Sequence, residues 1–77
     1  MKDEIRSMAS AVLSEVLRIP VSADHNIYRS NTEQWDSLKH LELILLLEEE
    51  FHVRFSAEQV ANINCLEDIV GILGGDK

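Results

Sequence analysis

The residues best placed to do chemistry are Trp35-Asp36-Ser37-Leu38, where a segment without helical period runs into a strongly periodic one. A serine at such a junction shows its hydroxyl to solvent, beside the unpaired amides of a first helical turn and the positive end of the helix dipole. An anion carried on that oxygen is stabilised there, as phosphates are at helix N-termini in general. The same residues also have a plain structural use. Asp and Ser are favoured where helices begin, and Asp36 reads as the N-cap. Other combinations fall short of chemistry. Ser37, His40 and Asp36 crowd one exposed turn, so they cannot supply an oriented base and a dry oxyanion hole, and no Gly-x-Ser-x-Gly elbow is present. No catalytic residue is expected. Glu49-x-x-His52 is half of a di-iron helix motif with no second copy, so no metal site is expected either. His25 and His52 read as solvated, and Cys65 as a small apolar residue.

The elements that must position Ser37 are helical. Ile5, Met8, Ala9, Val12, Leu13 and Val16 recur at steps of three and four, marking the apolar face of a first helix. Asp3 and Glu4 at its start and Arg18 at its end suit the dipole, and Pro20 stops it near Leu17–Arg18. A second helix runs from Asp36-Ser37 to about Phe51. Its stretch from Leu43 to Leu47 is apolar almost all round, which predicts the most buried element, with Leu41, Ile44, Leu45 and Leu47 as core. Ser56 and Gln59 form a capping box for a brief third helix over about Ala57 to Ala61. Leu66, Ile69, Val70 and Leu73 make a last helix, ended by Gly74-Gly75. No stretch alternates long enough to make a strand. The expected fold is all-α: a small four-helix bundle of three longer helices and one short third helix. Its first connection, about seventeen residues from Ile19 to Trp35, is long for a compact domain. Val21, Ile27 and Tyr28 are the residues able to pin it down.

Size and charge narrow the function. With 77 residues the chain makes one domain (1–77, with 74–77 as a frayed tail) and one small core, and its single cysteine cannot form an internal disulfide. Fourteen acids against seven Lys and Arg give a formal charge of −7, which repels nucleic acid and anionic membranes and favours basic protein partners. No apolar run approaches the roughly 20 residues of a membrane span. Met1-Lys2-Asp3-Glu4 lacks the layout of a signal peptide, so a cytoplasmic location is expected.

Taken together, Asp36-Ser37-Leu38 heading a helix that reads on to Leu47-Glu48-Glu49-Glu50-Phe51, the long first loop and the short third helix resemble the acyl carrier protein family. The resemblance covers nearly the whole chain. It implies that Ser37 receives 4′-phosphopantetheine from coenzyme A, attached by a phosphopantetheinyl transferase. The arm's thiol would then hold acyl intermediates as thioesters. An acyl-loading ligase or synthase and downstream acyl-processing enzymes, of lipid or polyketide biosynthesis, would be the partners of a monomeric carrier. Asp36, Glu42, Glu48 and Glu49 fall where the family meets basic patches on partners, with Leu38 and Leu41 as the apolar part of the contact. Weak, electrostatically steered encounters suit a shuttle that must let go.

Some residues depart from the family's pattern. Thr32-Glu33-Gln34-Trp35 stands where a glycine is common, and Trp35 is expected to pack over the loop. Lys39 and His40 replace acidity beside the serine, which points to a specialised pathway rather than general fatty-acid synthesis. A peptidyl or aminoacyl carrier shares the fold and cofactor. An acidic helical adaptor, with Asp-Ser-Leu incidental, is the rival of a different class.

Overall fold

The computed structural model describes residues 2–74 and contains four α-helices: α1 (Lys2–Leu17), α2 (Ser37–Phe51), α3 (Ala57–Asn62) and α4 (Leu66–Leu73). α1 packs against both α2 and α4. Ala9, Val12, Leu13, Val16 and Leu17 of α1 meet Leu43, Ile44 and Leu47 of α2 and Leu66, Ile69 and Val70 of α4 in one core. Ile63 and Trp35 close it from the connections. The expected all-α bundle is therefore the architecture, with boundaries within a residue or so of those read from periodicity.

Local chemistry explains the helix ends. Asp36 caps α2, its carboxylate accepting the Lys39 N–H at 2.9 Å. Ser56 and Gln59 form the reciprocal capping box of α3, at 3.1 and 2.9 Å. α2 ends at His52, whose φ of 56° is left-handed. α1 ends in the same way at Arg18, with φ 61° and its N–H on the Ser14 carbonyl. Arg18 thus lies beyond the helix as its reversing residue, so it is not a basic side chain in the last turn as the dipole argument supposed. The Gly74 N–H bonds back to the Val70 carbonyl at 2.7 Å, and Gly74 itself is right-handed. The rest of the expected frayed tail, 75–77, lies outside the described residues.

The long first connection is stitched down at both ends of its middle. Val21 N–H donates to Ser14 Oγ at 2.8 Å. Arg29 N–H donates to the Asn64 carbonyl at 2.7 Å, Leu66 N–H to the Ile27 carbonyl at 3.1 Å, and Glu67 N–H to Asn26 Oδ1 at 2.9 Å. Tyr28 and Cys65 form an antiparallel bridge, and Arg29–Asn31 make one 3₁₀ turn. Arg6 pairs with Glu67 and also donates to the Ala23 carbonyl, tying α1, loop and α4 together. Ile27 is buried and Val21 packs on the core as expected, whereas the Tyr28 ring stays exposed.

Two expectations about burial change. Leu41 and Leu45 were assigned to the core, yet they are 59% and 66% exposed. Met8 of α1 also faces outward, and Ser10 is buried instead. In α2 the buried positions are His40, Leu43, Ile44 and Leu47. An apolar run carries no phase of its own, and contact with α1 and the α3 side sets which leucines turn inward.

Candidate functional site

Ser37 is the first residue of α2 and is exposed. Asp36 does the capping, so the serine hydroxyl is spared that duty. The first intrahelical bond of α2 is His40 N–H to the Asp36 carbonyl at 2.8 Å. By helix geometry the Ser37 and Leu38 amides precede it and have no intrahelical acceptor. Those amides and the dipole would stabilise an anion carried on the Ser37 hydroxyl. An exposed hydroxyl, two amides free of helical bonds and open approach from solvent fit a phosphodiester-linked arm.

Beside the serine lies an apolar stripe. At about 100° per residue, Leu38, Leu41 and Leu45 fall within about 60° of one another on the α2 surface. All three are more than half exposed. Three leucines stacked outward on one helix face form the kind of patch that marks a contact surface. Leu38 and Leu41 were singled out from the sequence, while Leu45 was missed. Its signal was present in the spacing, because it lies four residues after Leu41 on the same face.

The four candidate acids are not alike. Asp36, Glu42 and Glu49 are exposed. Glu42 pairs with Lys39 at 3.5 Å, so part of its charge is answered within the helix. Glu48 is half-buried, and its Oε2 accepts the Phe55 N–H at 2.8 Å, holding the α2–α3 connection. On the side of the leucine stripe away from Ser37, an open groove of about 450 Å³ separates α2 from the end of α1. Val16, Leu45 and Leu46 line it, with Arg18, Lys39 and Glu49 among its polar residues.

The histidine beside the serine is also placed unexpectedly. His40 was read as lying with Ser37 on one exposed turn, but it is buried, hydrogen-bonded at both ring nitrogens to Trp35 Nε1 and the Val60 carbonyl. Trp35 does pack, but into the core and not merely over the loop. His25 and His52 are exposed. Among the described residues no group of three or more His, Cys, Asp or Glu side chains is arranged to hold a metal, and no helix is long and apolar enough to cross a membrane.

Cys65 is buried at the head of α4. Burial pushes its thiol above the usual range, and the neighbouring Asp68 charge adds to this while a backbone hydrogen bond opposes it. The folded thiol therefore keeps its proton to higher pH than the unfolded one. The stability linked to this is complete below the unfolded thiol's pKa and is lost as pH rises through the folded value. Iodoacetamide at pH 8 is expected to leave Cys65 of the native protein largely unmodified while it labels the urea-unfolded chain fully. Equal labelling rates by intact mass would refute the assignment of Cys65 to the core.

The family model described as phosphopantetheine attachment site matches residues 9–73, from within α1 to the last residue of α4. No curated protein matches the chain.

Proposed function

The chain belongs to the phosphopantetheine attachment-site family, and from that premise we propose that Ser37 is the attachment residue of an acyl carrier serving a specialised pathway. As a member of this family the protein is a carrier of covalent 4′-phosphopantetheine, working with a transferase and with synthase-type partners. The observation that carries the assignment to Ser37 is its place. It is an exposed hydroxyl at the first position of α2, uncommitted to capping and beside amides without helical acceptors.

In the transfer, Ser37 Oγ attacks the coenzyme A phosphorus that bears the pantetheine. The phosphoanhydride bond to that phosphorus breaks, 3′,5′-ADP leaves, and the serine proton passes to a base of the transferase. The arm supplies a terminal thiol that holds cargo as a thioester. This chain's own residues present the serine, steady the phosphate and offer a docking face. Leu38, Leu41 and Leu45 form the apolar ridge of that face, and Asp36, Glu42 and Glu49 its acidic margin. Glu48 supports it chiefly by fixing the α2–α3 connection.

A dedicated set of partners follows from Lys39. Paired with Glu42 two residues beyond the serine, it weakens the negative field that a basic general fatty-acid enzyme would seek. In this reading the chain acts as a monomeric, non-catalytic cytoplasmic shuttle.

Incubation of the apo protein with coenzyme A, magnesium and a broad-specificity phosphopantetheinyl transferase tests the assignment. The intact mass is expected to rise by one phosphopantetheine, and Ser37→Ala is expected to lose the gain completely while keeping its helical spectrum, because Asp36 still caps α2. An unchanged wild-type mass would instead favour a helical adaptor. A gain that persists in the variant would move the site elsewhere.

A further inference from the structure

Trp35 Nε1 lies 3.0 Å from His40 Nδ1, and His40 Nε2 lies 2.9 Å from the Val60 carbonyl oxygen. An indole N–H only donates and a carbonyl only accepts. One state of the imidazole satisfies both: neutral, protonated at Nε2 and accepting at Nδ1. Trp35 is 2% exposed and His40 6%, so water cannot readily replace either partner. The two rings meet edge to edge through this bond, with centroids 6.1 Å apart and planes inclined by 29°.

The segments joined by this ring surround Ser37. Trp35 is two residues before the serine, and its own N–H is held by the Thr32 carbonyl at 3.0 Å. His40 lies one turn after it. Val60 belongs to α3, none of whose residues is fully buried, though Val60 packs against the core. Between the anchored indole and the serine stands only Asp36, in extended conformation with φ −97° and ψ −172°. Those torsions swing the chain from loop into helix. With the indole fixed on one side and the first helical turn on the other, they have little room to vary.

We propose that His40 is a positioning residue for the modification of Ser37, acting through Trp35 and the first turn of α2. The inference rests on Ser37 being the attachment residue. His40 does not meet the cofactor or a docked enzyme, since its ring is buried. Its neutral tautomer holds the loop–helix junction in one geometry, so that Ser37 Oγ points along one direction for attack on phosphorus. Small errors in such a direction slow a transfer strongly.

Three variants separate this role from simple packing. His40→Phe keeps a ring but removes both hydrogen bonds. Trp35→Phe removes only the donor. His40→Asn returns an acceptor to the place of Nδ1. Two readouts are taken on apo protein shown to be folded by circular dichroism: the rate constant for phosphopantetheine transfer, by intact mass, and the amide resonance of Ser37 in ¹H–¹⁵N spectra. His40→Phe and Trp35→Phe are expected to load about tenfold more slowly with the Ser37 amide displaced, and His40→Asn to recover most of the rate. A folded His40→Phe that loads at the wild-type rate overturns the proposal, as does a folded His40→Asn no faster than His40→Phe. If His40→Phe does not fold, Trp35→Phe decides by the same criteria. Should wild type gain no mass, the carrier reading fails separately. The spectra then judge the junction, and a Ser37 amide unmoved in the folded variants overturns the positioning role.

Discussion

Leu47→Ala is expected to cost about 2–5 kcal/mol of stability, whereas Leu45→Ala, two residues earlier in the same helix, should change it by less than about 0.5 kcal/mol. The two leucines have the same chemistry and opposite environments. Leu47 has no exposed surface and belongs to the core that α2 shares with α1, while Leu45 is 66% exposed. Truncating Leu47 removes its contacts and leaves a cavity that neighbours only partly fill. Truncating Leu45 removes atoms that are mostly in water already. A domain of this size holds few kilocalories in reserve, and each one corresponds to roughly 4–8 °C of melting temperature. Thermal unfolding followed at 222 nm should therefore separate the variants by at least about 6 °C. Similar melting temperatures would mean that the phase of α2 described above is wrong.

Leu41→Glu should do the reverse: leave the melting temperature nearly unchanged and slow phosphopantetheine transfer by tenfold or more, about 1.4 kcal/mol at the docking step. Leu41 lies one turn after Ser37, in the middle of the outward stripe. On the proposed docking face a transferase reaching Ser37 covers that stripe, and buried apolar anchors carry most of the binding energy in such contacts. A carboxylate there must be desolvated without a partner. Glu42→Gln makes a useful contrast, because a charge at the margin changes association and its salt dependence more than the lifetime of the complex. The measurement is the rate of mass gain at two transferase concentrations and two ionic strengths. An unaltered rate for Leu41→Glu would remove the stripe from the docking face.

What could be read from the chain beforehand was whatever is decided within one or two turns. Asp36 as cap, the Ser56–Gln59 box and the stop before Pro20 all depend on neighbours a few residues apart, and each is in place. The Asp-Ser-Leu junction belongs to this class, because the change from an aperiodic to a periodic segment is visible in the residues themselves. The rotation of α2 about its axis does not. Leu43 to Leu47 offers apolar groups in nearly every direction, so the face that turns inward is chosen by α1 and by the α3 side. Leu41 and Leu45 were misassigned for that reason. His40 hid differently: polar residues are expected outside, and burial of this one depends on an indole five residues earlier and a carbonyl twenty residues later. No local pattern announces such a pairing.

The stitches between the first loop and the head of α4 bear on the order in which the molecule assembles. The Glu67 N–H reaches Asn26 across 41 positions of sequence, and the Arg29 and Leu66 amides close similar spans. Contacts so distant along the chain form late, after the entropy of closing a long loop has been met. Until Asn64 and the head of α4 are in place, the segment from Asn26 to Arg29 lacks the partners of these bonds. That segment leads on to Trp35, and His40 reaches the Val60 carbonyl, so the setting of Ser37 includes bonds to the C-terminal third. A chain lacking the head of α4 would hold the serine without these ties. Under the proposed assignment of the arm to Ser37, the attachment residue is thus finished by bonds from the far end of the chain.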